Sequence, residues 1–201
     1  AELADAKAAV QRFDGWLQLR NRQLIGTEVR VDGTITVPSG TARVRGSIDR
    51  LERDAEGAYY VVDLKTGTSQ SDEIKQSHRL QIGVYQAVVA SGGVEAIGPT
   101  SVSGAELVHL RIGAGKGQAN PKVDYQSGLV DVPWPDEAEP VAGWWNSVEA
   151  SVDKALRIVT SGEYPAIANR GCGHCPARAG CPALVPMDPA TVGSDRRRNV
   201  P

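Results

Sequence analysis

The residues of this chain that could do chemistry gather in one stretch, Gly46 to Gly67, GSIDRLERDAEGAYYVVDLKTG. It reads as two strands joined by a short turn over Glu52–Gly57. Side chains alternate faces along a strand, so Asp63 and Lys65 share one face and Leu64 points the other way. Asp49 stands late in the first strand, and pairing of the two strands brings it near Asp63. Two carboxylates beside one ammonium suit a hard divalent cation and a phosphate. Mg²⁺ takes oxygen ligands, keeps several waters and often shares its site with substrate phosphate. An Asp and a Lys two apart on a strand are also common as a solvated ion pair. Their order, with Gly before and Thr-Gly after, raises the reading above that.

The elements that must position these residues follow from periodicity. Residues 2–24 predict a helix, with Leu3, Ala6, Val10, Phe13, Leu17 and Leu24 as an apolar stripe, ended at Gly26. Thr27–Val37 alternates as a half-buried strand. Ala42–Leu51 is a second strand, with Arg43, Arg45, Ser47 and Asp49 on one face, and Ala58–Leu64 a third. A helix then runs to about Ala90, with His78, Gln81 and Tyr85 along one side. Glu106–Ile112 is a strand with Val108, Leu110 and Ile112 inward. His109 falls on its other face and is read as structural. Gly113–Gly128 reads as a polar, Gly-rich loop whose Lys116 and Lys122 could touch a polyanion. Pro140–Thr160 repeats as a helix, with Trp145 expected buried.

Three motifs in this order carry a resemblance. Gly46-Ser47-Ile48-Asp49-Arg50, then Val62-Asp63-Leu64-Lys65-Thr66-Gly67, then Gln81-Ile82-Gly83-Val84-Tyr85 resemble the RecB-type nucleases of the PD-(D/E)xK superfamily. The likeness covers most of Glu28 to Pro182. It implies an α/β fold, a central mixed sheet flanked by helices with a restriction-endonuclease-like core. It also implies Mg²⁺- or Mn²⁺-dependent hydrolysis of DNA phosphodiesters. Asp49, Asp63 and the backbone carbonyl of Leu64 would hold the metal, which would polarise the phosphoryl oxygen and acidify water. Lys65 would orient that water and offset developing charge. Gln81 and Tyr85 would position the scissile strand, and Arg45 and Arg50 would contact DNA.

The three cysteines, Cys172, Cys175 and Cys181, form C-x2-C-x5-C. So close a cluster indicates one metal centre rather than a disulfide framework, and thiolates select zinc or iron–sulfur. The pattern resembles the iron–sulfur subgroup of these nucleases, found in helicase–nuclease subunits of the AddB and AdnB kind and in the related Cas4 proteins. That resemblance implies a structural [4Fe-4S] cluster once a fourth, upstream cysteine is supplied. Neither that cysteine nor the family's upstream metal-binding His has a counterpart before Glu28. Both absences suggest a fragment or a divergent member.

Composition bounds the rest. The chain has 201 residues, 41% hydrophobic and 23% charged, and a net charge of −2. It suits one nuclease domain over 1–184 with an extended, polar tail over 185–201 that holds Arg196–Arg198. A nucleic-acid partner would meet a local patch rather than a global basic field. No apolar run is long enough to span a bilayer and no secretory signal pattern is present, so the expected place is cytoplasmic, with the nucleoid. The expected partners are DNA, single-stranded or duplex ends, and a helicase region or subunit in double-strand break repair. The rival readings are a non-catalytic DNA-end-binding module of the same fold and a zinc-binding interaction domain.

Overall fold

The computed structural model describes residues 2–68, 72–115, 119–129 and 143–183. The tail at 185–201, Lys116 and the side chain of Trp145 lie outside the described residues. The order of elements is α1 (Glu2–Gln18), β1 (Gln23–Val37), β2 (Gly40–Arg53), β3 (Tyr59–Lys65), α2 (Asp72–Ala90), β4 (Val102–Gly113), β5 (Pro121–Ser127) and α3 (Gly143–Ser161). The chain divides into two compact units, Ala1–Arg157 and Ile158–Pro201.

The first unit carries one five-stranded sheet in the order β1-β2-β3-β4-β5. β1, β2 and β3 form an antiparallel meander. β3 and β4 run parallel, joined through α2, because parallel neighbours need a crossover long enough to return the chain. β5 returns antiparallel to β4. The sheet is therefore mixed and flanked by helices, the expected α/β class.

Two apolar clusters cover its two faces. Ile48, Leu51, Val61, Ala105 and Leu107 pack with Ile82, Val88 and Val89 of α2 and with Val148 of α3. Val62 and Val108 pack with Trp16 of α1, and Phe13 and Leu17 join them. β3 alternates between the two clusters, Val61 to the α2 side and Val62 to the α1 side. β4 is buried without a break from Gly104 to His109, as befits a strand with neighbours on both sides and helices on both faces.

Three features depart from the sequence expectation. α1 ends at Gln18 rather than near residue 24, and Leu24 lies in β1, 46% exposed. The stripe is real only in its second half: Leu3 and Val10 are exposed, while Phe13, Trp16 and Leu17 pack on the sheet. The segment 113–128 is not one loop, since Pro121–Ser127 pairs with β4. His109 falls on the face opposite Val108 and Leu110, as expected, and that face is packed as well, since Leu107 shares it.

The α1 side also holds a buried ionic network. Arg20 donates from Nε to Glu52 Oε1 at 3.1 Å and from Nη1 to Glu106 Oε1 at 2.5 Å, and its Nη2 also bonds Glu52. Both glutamates are fully buried. Buried charges persist only when paired and hydrogen-bonded. The network fastens the chain just past α1 to β2 and β4.

Candidate active site

β3 brings Asp63 and Lys65 to the face that carries α2. Lys65 Nζ lies 2.7 Å from Asp63 Oδ2 and donates to Gln81 Oε1 at 2.8 Å. The contact with Asp63 is an ion pair off the angle of a hydrogen bond, so Oδ2, buried, has no hydrogen-bond partner. Asp49 Oδ2 accepts the backbone N–H of Leu64 at 2.7 Å. Asp49, Asp63, Lys65 and Gln81, from three elements, thus meet at the end of β3.

The face of α2 that meets the sheet carries His78, Gln81, Tyr85 and Val88, three or four residues apart. A Cβ added at Gly46 would come within 3.0 Å of Tyr85 Cε1 and Oη, and one at Gly33 within 3.0 Å of Val88 Cγ1. Successive turns of this face therefore meet β3 at Lys65, β2 at Gly46 and β1 at Gly33. Gly46, the first residue of the G-x-x-D-R motif, is a glycine because the Tyr85 ring occupies the place of a side chain.

The placement of Asp49 is not simple alternation. Ile48 and Leu51, three apart on β2, are both fully buried in the cluster under α2. A regular strand would send them to opposite faces. The ladder with β1 pairs Thr27 with Arg50 and Val29 with Ile48, and Glu28, between them and across from Asp49, has φ of 50°. Such a conformation is unusual for a residue with a side chain. The strand pair turns over at this point, and Arg45 and Asp49 do not form one continuous row.

Arg45 is exposed and pairs with Asp32, Nε to Oδ2 at 3.2 Å. It lines an open cavity of about 640 Å³ with Glu28, Arg30, Asp32 and Ser47. Arg43 binds the same Asp32 through two bonds of 2.7 Å. Arg50 is elsewhere. Its Nε donates to the buried Glu52 at 2.6 Å and its guanidinium lies 5.7 Å from the Trp16 ring centroid. That is the α1 side of the sheet, so its placement is structural and does not match the expected DNA contact. It follows Asp49 directly in sequence, but the alternation of a strand sends it to the other face.

Electrostatics mark Asp63 out. Burial pushes its carboxyl above the usual carboxylate range and Asp49 adds to the push, against the pull of Lys65. A buried carboxylate with a second carboxylate nearby and one ammonium between them and Gln81 is short of positive charge. The donor set is all oxygen, which suits Mg²⁺ or Mn²⁺. The residues present fit a divalent cation on Asp49 and Asp63.

A further group of residues stands beside this site. The register sets His109 beside Lys65 on β4. Its Nε2 lies 2.8 Å from Asp124 Oδ2, and Lys122 Nζ reaches the same oxygen at 3.1 Å. His78 of α2 is half-buried and close enough to Lys65, Asp63 and His109 to feel their charges. In the sequence, His78 precedes Gln81 by one helical turn.

In the second unit two short 3₁₀ turns, Arg170–His174 and Arg178–Gly180, carry the cysteines. Cys175 is exposed, and Cys172 Sγ accepts the Asn169 N–H at 3.1 Å. Among the described residues, no group of three or more His, Cys, Asp or Glu side chains is close enough to share a metal ion.

A mixed sheet thus presents Asp49 and the Asp63-Leu64-Lys65 run against one helix. The chain belongs to the PD-(D/E)XK nuclease superfamily, whose sequence profile matches residues 2–182. A solved structure titled "Crystal structure of SSO0001" is similar in fold, with a TM-score of 0.51 at 18% identity, over 91% of this chain and 70% of that one. No curated protein matches the chain in sequence. No helix among the described residues is long and apolar enough to cross a membrane.

Proposed function

We propose that this protein is a Mg²⁺-dependent deoxyribonuclease that hydrolyses phosphodiester bonds at the Asp49–Asp63–Lys65 site. The observation that carries the reading is the convergence of two carboxylates on Leu64 and Lys65, with Gln81 holding the ammonium in place. A divalent cation, when bound, supplies Lewis acidity toward a phosphoryl oxygen and lowers the pKa of water. Asp49, Asp63 and the Leu64 carbonyl would hold it. Lys65, tied to both Asp63 and Gln81, presents its ammonium where charge develops in the transition state. Tyr85 shapes the wall over Gly46, and Arg45 lies on the path of the DNA backbone. Mg²⁺-dependent cleavage of linear DNA, lost on chelation and in Asp63→Ala with the fold retained, is the expected result. Tight DNA binding with no cleavage by the parent protein would favour the end-binding module instead.

The finer reading is the nuclease module of a bacterial helicase–nuclease in double-strand break repair, at the nucleoid. It rests on the order of the three motifs and on the C-x2-C-x5-C run. Co-purification of a helicase with the tagged protein from its own cells tests it. A [4Fe-4S] cluster on Cys172, Cys175 and Cys181 rests on that run alone. It requires the thiolates to gather and a fourth ligand to be supplied, and iron and labile-sulfide analysis of anaerobically prepared protein decides it.

A further inference from the structure

The geometry points to His78 as a further strand-contacting residue of the groove, its imidazole N–H donating to a phosphate oxygen of the nucleotide beside the scissile one. This rests on the nuclease reading above. Val88, Tyr85 and Gln81 meet Gly33 of β1, Gly46 of β2 and Lys65 of β3 in turn. A helix advances about 5.4 Å per turn and strands lie about 4.8 Å apart, so the helix keeps step with the sheet. The next turn carries His78, and the next strand carries His109, in register with Lys65.

The two histidines differ in what they can reach. The His109 side chain is 4% exposed and bonded to Asp124, which also takes Lys122. It is a fixed wall, closed to a substrate. His78 is half-buried one helical turn before Gln81, near enough to Lys65 for that charge to bear on it. Among the described residues, Lys65, Asp63 and His109 are the charged and titratable groups whose charges bear on it. Burial and the neighbouring Lys65 hold its pKa below the ordinary histidine value, so the ring is neutral at neutral pH. A neutral imidazole still has one N–H to donate. Its contact with phosphate is then a hydrogen bond to an anion and not an ion pair. Such a contact adds nothing to counterion release, which counts neutralised phosphates.

The experiment uses the full chain with a single-stranded oligonucleotide, binding being measured with Ca²⁺ and cleavage with Mg²⁺. His78→Ala should weaken binding about tenfold, the scale of a hydrogen bond to a charged group, and raise KM by a similar factor. Its kcat and the salt slope of binding should stay near the parent's. His78→Gln, which keeps a donor, should recover most of the affinity. Parental affinity in His78→Ala would put the residue off the strand path. Equal loss in both variants with a lowered Tm would make it a packing residue. Either result overturns the proposal. Lys65→Ala run alongside separates the two readings: parental cleavage there removes the nuclease assignment, while the oligonucleotide binding comparison still decides on His78.

Discussion

The carboxylate of Asp49 accepts the backbone N–H of Leu64 over 2.7 Å, which ties the second strand to the middle residue of Asp63-Leu64-Lys65. Residues fifteen apart in the chain are so held in one constellation. The side chain of one strand orients on the backbone of the next, and a site built this way has little freedom to drift.

The buried carboxylate of Asp63 should cost stability until a cation arrives. A carboxyl whose folded pKa lies above its unfolded value contributes stability present below the unfolded pKa and lost as pH rises through the folded one. Metal-free parent protein should therefore melt below Asp63→Asn at pH 7, and the gap should close on acidification through the carboxylate range. Mg²⁺ should raise the Tm of the parent alone, since only a ligand that binds the native state stabilises it. Calorimetry at two pH values, with and without Mg²⁺, reads both effects.

The two arginines of the expected DNA surface should behave differently. Arg45→Ala should weaken DNA binding and reduce the slope of log Kd against log salt by about one, one phosphate contact being lost. Arg50→Ala should leave that slope alone and lower Tm, because it strips a partner from the buried Glu52. A salt slope that falls in Arg50→Ala and not in Arg45→Ala would reverse the assignment.

Gly46→Ala tests the contact under Tyr85. The added methyl stands 3.0 Å from Cε1 and from Oη of Tyr85, so the side chain must shift by tenths of an ångström. Overpacking of this kind costs about 1–3 kcal/mol. Cleavage should fall with it, since the displaced ring is part of the groove wall. Melting curves and kcat/KM measured on the same preparation check the pair of effects, and parental values in both would show that Tyr85 yields freely.

Arg20→Ala should be the most damaging of these substitutions to the fold. It leaves Glu52 and Glu106 in the interior without their shared partner, a loss of about 3–5 kcal/mol when a buried pair is broken. Burial already holds the Glu106 carboxyl above its usual range. The variant should therefore be hurt more at neutral pH than at a pH in the carboxylate range or below, since protonation of Glu106 removes its buried charge. Chemical denaturation at the two pH values measures the difference. A loss independent of pH would assign it to the lost packing of Arg20 on Trp16 instead, where the guanidinium lies 4.4 Å from the ring centroid.

Short-range periodicity sufficed for much of this protein. Asp63 and Lys65 share a face because strand side chains repeat every two residues. Gln81 and Tyr85 share a face because a helix repeats every 3.6. The order of strands and helix around them was legible for the same reason. Four features depended on the assembled sheet. Asp49 reaches Leu64 where the β1–β2 ladder turns over at Glu28, a backbone conformation that no composition signal marks. Arg50 serves a buried glutamate because α1 covers the face to which it points. β5 hides as a strand because Asp124 and Gln126 face inward and Tyr125 lies 71% exposed, the reverse of an amphipathic pattern. His109 stands beside Lys65 only because β4 pairs parallel to β3 in one register. Local sequence determines which residues share an element's face; the pairing of elements distant in the chain decides what that face meets.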